Sequence, residues 1–317
     1  MKAFKTTIAL LAICIASTVA QAQQVIGLAT TKGGATAQIA TALAKVISEK
    51  SDLEVRPQTL GNTSQYLPLV NSGKVELGIA NFPQTFYAVT GTGMSPGQPN
   101  PNLLLIARLF PFAAGLVATD KSGIKTYADL KGKRIPRFTA DSLGDFFLRA
   151  SLANAGLTYD DVVSVPMSNF PRQFAAFKQG DIDVTIAAVG SQNLIDFKAT
   201  LGGVHFVSFT KDKAAASEKL LPGGELRTMP VNAANIGIAA DTLVMAYDYT
   251  LFAGSMVSNE VVGKVVKALI AGAADLKASS PLWAEYDPKK LYRPATGAAA
   301  AVKYHPGAIA AYKAAGL

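Results

Sequence analysis

Residues 31–36, Thr31-Lys32-Gly33-Gly34-Ala35-Thr36, are the first in this 317-residue chain with an evident chemical use. They follow a short apolar run, residues 25–29, and precede a segment in which Ile39, Leu43, Val46 and Ile47 recur at helical spacing. A glycine loop between a strand and a helix presents backbone N–H groups at a helix N-terminus, where the partial positive charge of the aligned peptide dipoles favours an anion. Similar loops follow. Asn62-Thr63 precedes a helical pattern carrying Tyr66, Leu67, Leu69 and Val70, and Asn81-Phe82 leaves the apolar run 77–80. Arg137-Phe138-Thr139 and Ser142 leave a strand signal at Ile135, and Ser191 stands after the run ending at Ala188. Ligands of open α/β sheets gather outside the carboxyl ends of the strands, where these loops lie. Arg108 and Arg137 could each hold an acid by two parallel hydrogen bonds. Phe82, Phe110 and Phe138 favour a flat or apolar acid over a polar sugar. The expected ligand is a small organic acid, a mono- or dicarboxylate, clamped chiefly by Arg137 or Arg108.

Catalysis finds less support. The one GxSxG spacing, residues 93–97 (GMSPG), falls in a Gly- and Pro-rich loop and not at a strand-to-helix elbow, the two histidines, His205 and His305, form no HxxxH pair, and no paired carboxylates stand at a loop after a strand. His305 before Pro306-Gly307 reads as a capping or packing residue, and Phe170, Phe174 and Phe177, spaced by four and three, as a core stripe. The expectation is binding without chemical change, with no catalytic residue, cofactor or metal; a secreted hydrolase is the weaker reading.

The elements that must position these residues are α/β. Strand signals at 25–29, 54–58 and 77–80 alternate with helical patterns in a βαβαβ series, which implies a largely parallel sheet. Residues 91–101 are a Gly- and Pro-rich loop, and 103–109 and 116–118 are two further runs of strand length. At Gly123 the series restarts: Thr126 can cap a short helix from Tyr127, Gly132 can close it, and a strand begins near Lys133. Leu143, Phe146, Phe147 and Ala150 give the next helix its apolar face, and 181–188 is a buried strand. A late strand near Leu251 and a helix capped by Ser258 lack partners in this second series and return to the first. Residues 23–109 and 245–317 are thus assigned to lobe one and 110–244 to lobe two, each with its own sheet.

Lys2 and Lys5 precede an apolar run from Ile8 to Val19 and the small residues Ala20-Gln21-Ala22, the pattern of a signal peptide over residues 1–22. Cleavage after Ala22 leaves 295 residues without the single cysteine, Cys14, and lowers the formal charge from +8 to +6. No run of five like charges and no basic stripe interleaved with aromatics occurs, so a nucleic-acid partner is not expected. The protein is expected to be periplasmic and monomeric.

Seven phrases carry a resemblance in their order: Gly33-Gly34; Leu60-Gly61-Asn62-Thr63-Ser64; residues 72–81, SGKVELGIAN; residues 106–111, IARLFP; residues 123–134, GIKTYADLKGKR; residues 155–162, AGLTYDDV; and His305-Pro306-Gly307-Ala308. Together they resemble the TAXI branch of extracytoplasmic solute receptors of tripartite ATP-independent (TRAP) transporters. The resemblance implies a type II periplasmic-binding-protein fold, two α/β lobes joined by two crossover strands with a central ligand cleft, and delivery of the solute to TRAP permease subunits. A receptor of an ABC transporter or of a sensor system shares that fold and is the alternative. Two departures stand in cleft-facing loops: Thr36-Ala37 where members show two tyrosines, and residues 137–142, RFTADS, where members have a Gly-Ser-Gly type loop.

Overall fold

The computed structural model describes residues 23–233 and 235–317, so the expected leader lies outside the described residues. The first series comprises β1 (Gln24–Thr31), α1 (Gly34–Lys50), β2 (Leu53–Leu60), α2 (Thr63–Asn71), β3 (Leu77–Asn81) and α3 (Phe82–Thr90). Helix α1 buries Ile39, Ala40, Leu43, Ala44, Val46 and Ile47, the face its period dictates. β1 pairs in parallel with β2 on one side and β3 on the other, which completes the βαβαβ unit.

The chain then enters β4 (Leu103–Thr119), one 17-residue strand where two runs were expected. Pro111, opposite Asp248, is tolerated on a stretch of β4 that has a single neighbour, because β7 joins only from Ala114. Next come β5 (Arg134–Phe138), α4 (Leu143–Ala155), β6 (Val163–Met167), α5 (Phe170–Gln179), β7 (Val184–Ala188), α6 (Gln192–Leu201), β8 (Val204–Phe206), α7 (Ala214–Glu218) and β9 (Glu225–Met229). Between β4 and β5, Thr126 caps a 3-10 turn at Tyr127–Leu130, and the Asp129 carboxylate accepts from the backbone N–H groups of Lys125 and Thr126 at 3.0 and 2.8 Å. Strand β10 (Thr242–Gly254) leads back to α8 (Asn259–Ala271), α9 (Ala273–Ser279) and α10 (Pro306–Ala314).

β4 and β10 are the crossovers. Tyr249–Ala253 of β10 pair with β3 and Thr242–Ala246 with β9, while β4 pairs with β10 and then, from Ala114, with β7. Because the crossovers also pair with each other, hydrogen bonding runs through one eight-stranded sheet, in the order β2-β1-β3-β10-β4-β7 with β8 on β4 and β9 on β10. The expectation of a separate sheet in each lobe is not met; only β5 and β6 stand apart, as a parallel pair.

The last segment packs on the first series. The Leu105 N–H donates to the Lys303 carbonyl and the His305 N–H to the Leu105 carbonyl, both at 2.8 Å, and the Tyr312 hydroxyl donates to the Ile106 carbonyl at 3.0 Å. His305 is the N-cap of α10, its Nδ1 accepting from the Gly307 N–H at 3.1 Å. No helix among the described residues is long and apolar enough to cross a membrane.

Candidate functional site

A cavity of about 460 Å³ lies between the lobes and is walled by both crossovers. Six helices point their N-termini at it: the N-cap residues Gly33 (α1), Asn62 (α2), Asn81 (α3), Ser142 (α4), Asn169 (α5) and Ser191 (α6) all line its wall. Three come from each series, because each strand of a βα unit ends where its helix begins. The first-turn N–H groups of a helix have no intrahelical acceptor, so the cavity is surrounded by donors and positive dipole ends. Its charged lining consists of Lys32 and Asp141, both exposed. Asp141 has a positive φ of 63°, a conformation Asp tolerates better than most residues.

Aromatic rings form the remaining walls. Phe112 on β4 and Tyr247 and Tyr249 on β10 face the cavity from the crossovers, and Phe138, Phe147, Phe170 and Phe174 face it from lobe two. The Tyr249 hydroxyl hydrogen-bonds Thr36 Oγ1 at 2.8 Å, tying a crossover to the first turn of α1. Burial pushes the Tyr249 phenol up to about 12, against smaller opposing effects of hydrogen bonds with the Thr36 and Asn81 side chains, so it acts as a neutral hydroxyl.

Of the residues expected from sequence, the cavity brings together Thr31, Lys32, Gly33, Gly34, Thr36, Asn62, Thr63, Asn81, Phe138, Thr139, Ser142 and Ser191. Four lie elsewhere. Phe82 and Phe110 are core side chains, Phe110 packing on Trp283 with ring centroids 4.8 Å apart. The Arg108 guanidinium is engaged by the buried Asp248 carboxylate and by the Arg293 carbonyl, and lies over the Phe82 ring at 4.8 Å. Arg137 stacks over Tyr159 at 3.5 Å, with its Nε 4.0 Å from Asp145 Oδ1, and opens onto a shallow groove beside the cavity, not into it. The expected arginine clamp is therefore corrected: neither guanidinium reaches the cavity.

The aromatic crossover residues were missed. Tyr247 and Tyr249, two apart on a strand, share one face, a spacing that could have signalled a common wall. The phenylalanine stripe was read as core, yet Phe170 and Phe174 line the cavity and only Phe177 is fully buried. Among the described residues, no group of three His, Cys, Asp or Glu side chains is placed to hold a metal ion.

Two α/β lobes joined by two crossover strands, with a donor-lined cavity between them, define a type II periplasmic-binding-protein fold. The model of the NMT1-like family matches residues 27–316, and the chain belongs to that family. Over 125 residues the chain is 30% identical to an Escherichia coli (strain K12) protein named for binding aliphatic sulfonates; the match covers 38% of this chain and about a third, 35%, of that relative. Among solved structures, PhnD1 from Prochlorococcus marinus (MIT 9301) in complex with methylphosphonate superposes with a TM-score of 0.57 at 11% identity, over 86% of this chain and 93% of that one. A binding protein component of an ABC phosphonate transporter from Pseudomonas aeruginosa gives 0.52 at 12% identity, over 83% and 80%. At these identities the likeness establishes the fold.

Family membership corrects the TAXI resemblance and, with it, the TRAP assignment. The physical reason lies in the phrases themselves. Gly33-Gly34, Asn62, Thr126 with Gly132, and His305-Pro306-Gly307 are helix caps and helix stops, which the two-lobed fold requires whichever permease it serves.

Proposed function

We propose that this protein is an extracytoplasmic receptor of an ABC-type importer, which captures a small organic oxyanion of the sulfonate kind between its lobes and passes it on unchanged. The observation that carries this reading is the convergence of six helix N-termini on one cavity that no arginine enters. Such a cavity offers an oxyanion many neutral donors, while Phe112, Phe174 and their neighbours suit an alkyl or aryl body. The relative named for aliphatic sulfonates supports the same class of ligand. It takes the place of the carboxylate expected from the arginines. In this reading residues 23–109 and 245–317 form lobe one, residues 110–244 form lobe two, and closure of the lobes is the signal the permease reads.

The test is a thermal-shift and calorimetric titration of the purified protein with methanesulfonate, ethanesulfonate, benzenesulfonate and methylphosphonate, with glucose as a neutral comparison. A ligand at a hundred times its Kd stabilises the folded state by about 2.7 kcal/mol, a shift well within reach of the assay. Sulfonate binding with recovery of intact ligand is expected. Absence of binding by all four anions, or a preference for glucose, overturns the reading.

A further inference from the structure

Four buried side-chain polar atoms among the described residues have no hydrogen-bond partner: Asn81 Oδ1, Thr185 Oγ1, Ser191 Oγ and His305 Nε2. Folded proteins leave few such atoms, because each forfeits its hydration without replacement. Two of the four, on Asn81 and Ser191, belong to residues that line the cavity, at 1% and 4% exposure.

Ser191 is the N-cap of α6, yet its side chain makes no cap bond. Its counterparts around the cavity do: Asn62 accepts from the Gln65 N–H at 3.2 Å, Ser142 from the Asp145 N–H at 3.3 Å and Asn169 from the Arg172 N–H at 2.9 Å. Gly33, capping α1 from the other lobe, has no side chain to offer. The N-termini of α1, α3 and α6 therefore keep their first-turn donors free of any side-chain cap; at α3 the unpartnered Asn81 Oδ1 is itself an acceptor, which disfavours an anion there and leaves α1 and α6, one in each lobe, while the Ser191 hydroxyl adds a donor of its own.

The sense of Asn81 follows from its neighbours. The Asn81 backbone N–H donates to Gln84 at 3.3 Å, so the receiving Gln84 atom is the oxygen, Oε1. The Asn81 side-chain atom that contacts the same oxygen at 3.3 Å must then be the amide nitrogen. The unpartnered atom is thereby the carbonyl oxygen, an acceptor.

We propose that the oxyanion seat lies between the N-termini of α1 and α6 with the Ser191 hydroxyl as a donor, and that Asn81 Oδ1 selects a ligand carrying a hydroxyl or amino group near its anionic end. This rests on the sulfonate reading and narrows it to small hydroxy- or aminosulfonates. Because the seat draws on both lobes, the anion favours the closed arrangement.

The experiment compares ethanesulfonate with 2-hydroxyethanesulfonate, which differ by one hydroxyl, in the wild type, Ser191→Ala and Asn81→Leu. Wild type is expected to bind the hydroxylated probe about tenfold more tightly. Ser191→Ala is expected to weaken both probes by about 10- to 100-fold, the effect of one hydrogen bond to a charged group. Its ligand-free melting temperature should stay at the wild-type value, since no cap bond is lost. In Asn81→Leu the ratio between the probes should fall to about one, and because the ratio is internal to the variant, altered stability does not affect it. Equal binding of the two probes by the wild type, or an unmoved Ser191→Ala, overturns this inference and leaves the sulfonate reading standing. Binding of neither probe or of any other sulfonate by the wild type removes both.

Discussion

Replacing Arg108 by methionine separates support of the hinge from ligand binding. Arg108 lies on β4 and Asp248 on β10, and Arg293 reaches the same carboxylate from the C-terminal segment, its Nη2 2.9 Å from Asp248 Oδ1. The side chains are 17%, 4% and 34% exposed respectively, so the carboxylate is the buried member. Removing one partner of a fully buried pair costs about 3–5 kcal/mol because the other charge is left unpaired. In Arg108→Met, Asp248 keeps Arg293 and methionine still covers Phe82, so the cost falls to about 1–2 kcal/mol, near that of one charge-assisted hydrogen bond. Asp248→Ala strands both guanidiniums, but Arg293 can turn toward water, so about 2–4 kcal/mol is expected. Equilibrium urea unfolding measures the order, with Asp248→Ala the less stable variant. The affinity for ethanesulfonate should stay within about twofold of wild type in Arg108→Met, since this residue does not line the cavity. A variant of normal stability that had lost its ligand would refute the placement and restore the clamp.

Gly307→Ala should lose about 1–3 kcal/mol in the same assay, because a Cβ there would meet the Asn259 backbone oxygen at 2.6 Å and push α10 off α8; an unchanged urea midpoint would contradict this packing. Burial holds the His305 imidazole below its ordinary value of 6.5. The unfolded chain therefore takes up a proton that the folded chain resists, and this contribution to stability is complete above about pH 6.5 and lost as pH falls through the depressed value. His305→Asn keeps a cap acceptor and should flatten that part of the pH profile in thermal melts; a profile identical to wild type counts against the assignment. Gly34 has a φ of +79° with open space around a would-be Cβ, so Gly34→Ala should cost about 1–2 kcal/mol of strain alone, and it should weaken sulfonate binding by disturbing the start of α1.

The parts of the fold that show in the sequence are those encoded locally. β1 through α3 follow from short apolar runs, helical periods and caps within a few residues of one another, and the Thr126 turn follows from a cap and a Gly132 stop. The length of β4 does not show, since a strand buried on both faces lacks alternation and Pro111 looks like a break. Nor does the pairing of β4 with β10, which sets residues some 140 apart side by side. The site divides in the same way. Gly33, Asn62, Ser142 and Ser191 announce helix starts, and helix starts ring the cavity. Arg108 looks like a ligand clamp until Asp248 comes into view across the sheet, and the stripe of Phe170 and Phe174 looks like core because a half-buried cavity wall and a core face share one spacing.

The absence of arginine from the cavity fits the proposed closure of the lobes. A guanidinium in a closing cleft needs a partner in both states: water when open, the ligand when closed. If the cleft closes empty, the charge is stranded at a cost of several kcal/mol. Helix N-termini are neutral overall, and their first-turn N–H groups are fixed in direction before the ligand arrives, so little ordering cost falls on binding. Six such ends supply a field that a single anion satisfies and a neutral solute does not, while the rings of Phe112, Tyr247 and Tyr249 keep the floor of the cleft apolar along the crossovers. The two arginines that could have entered are held instead by Asp248 and by Tyr159 with Asp145, at the hinge and on the rim. In the proposed reading they leave selection to the helix ends.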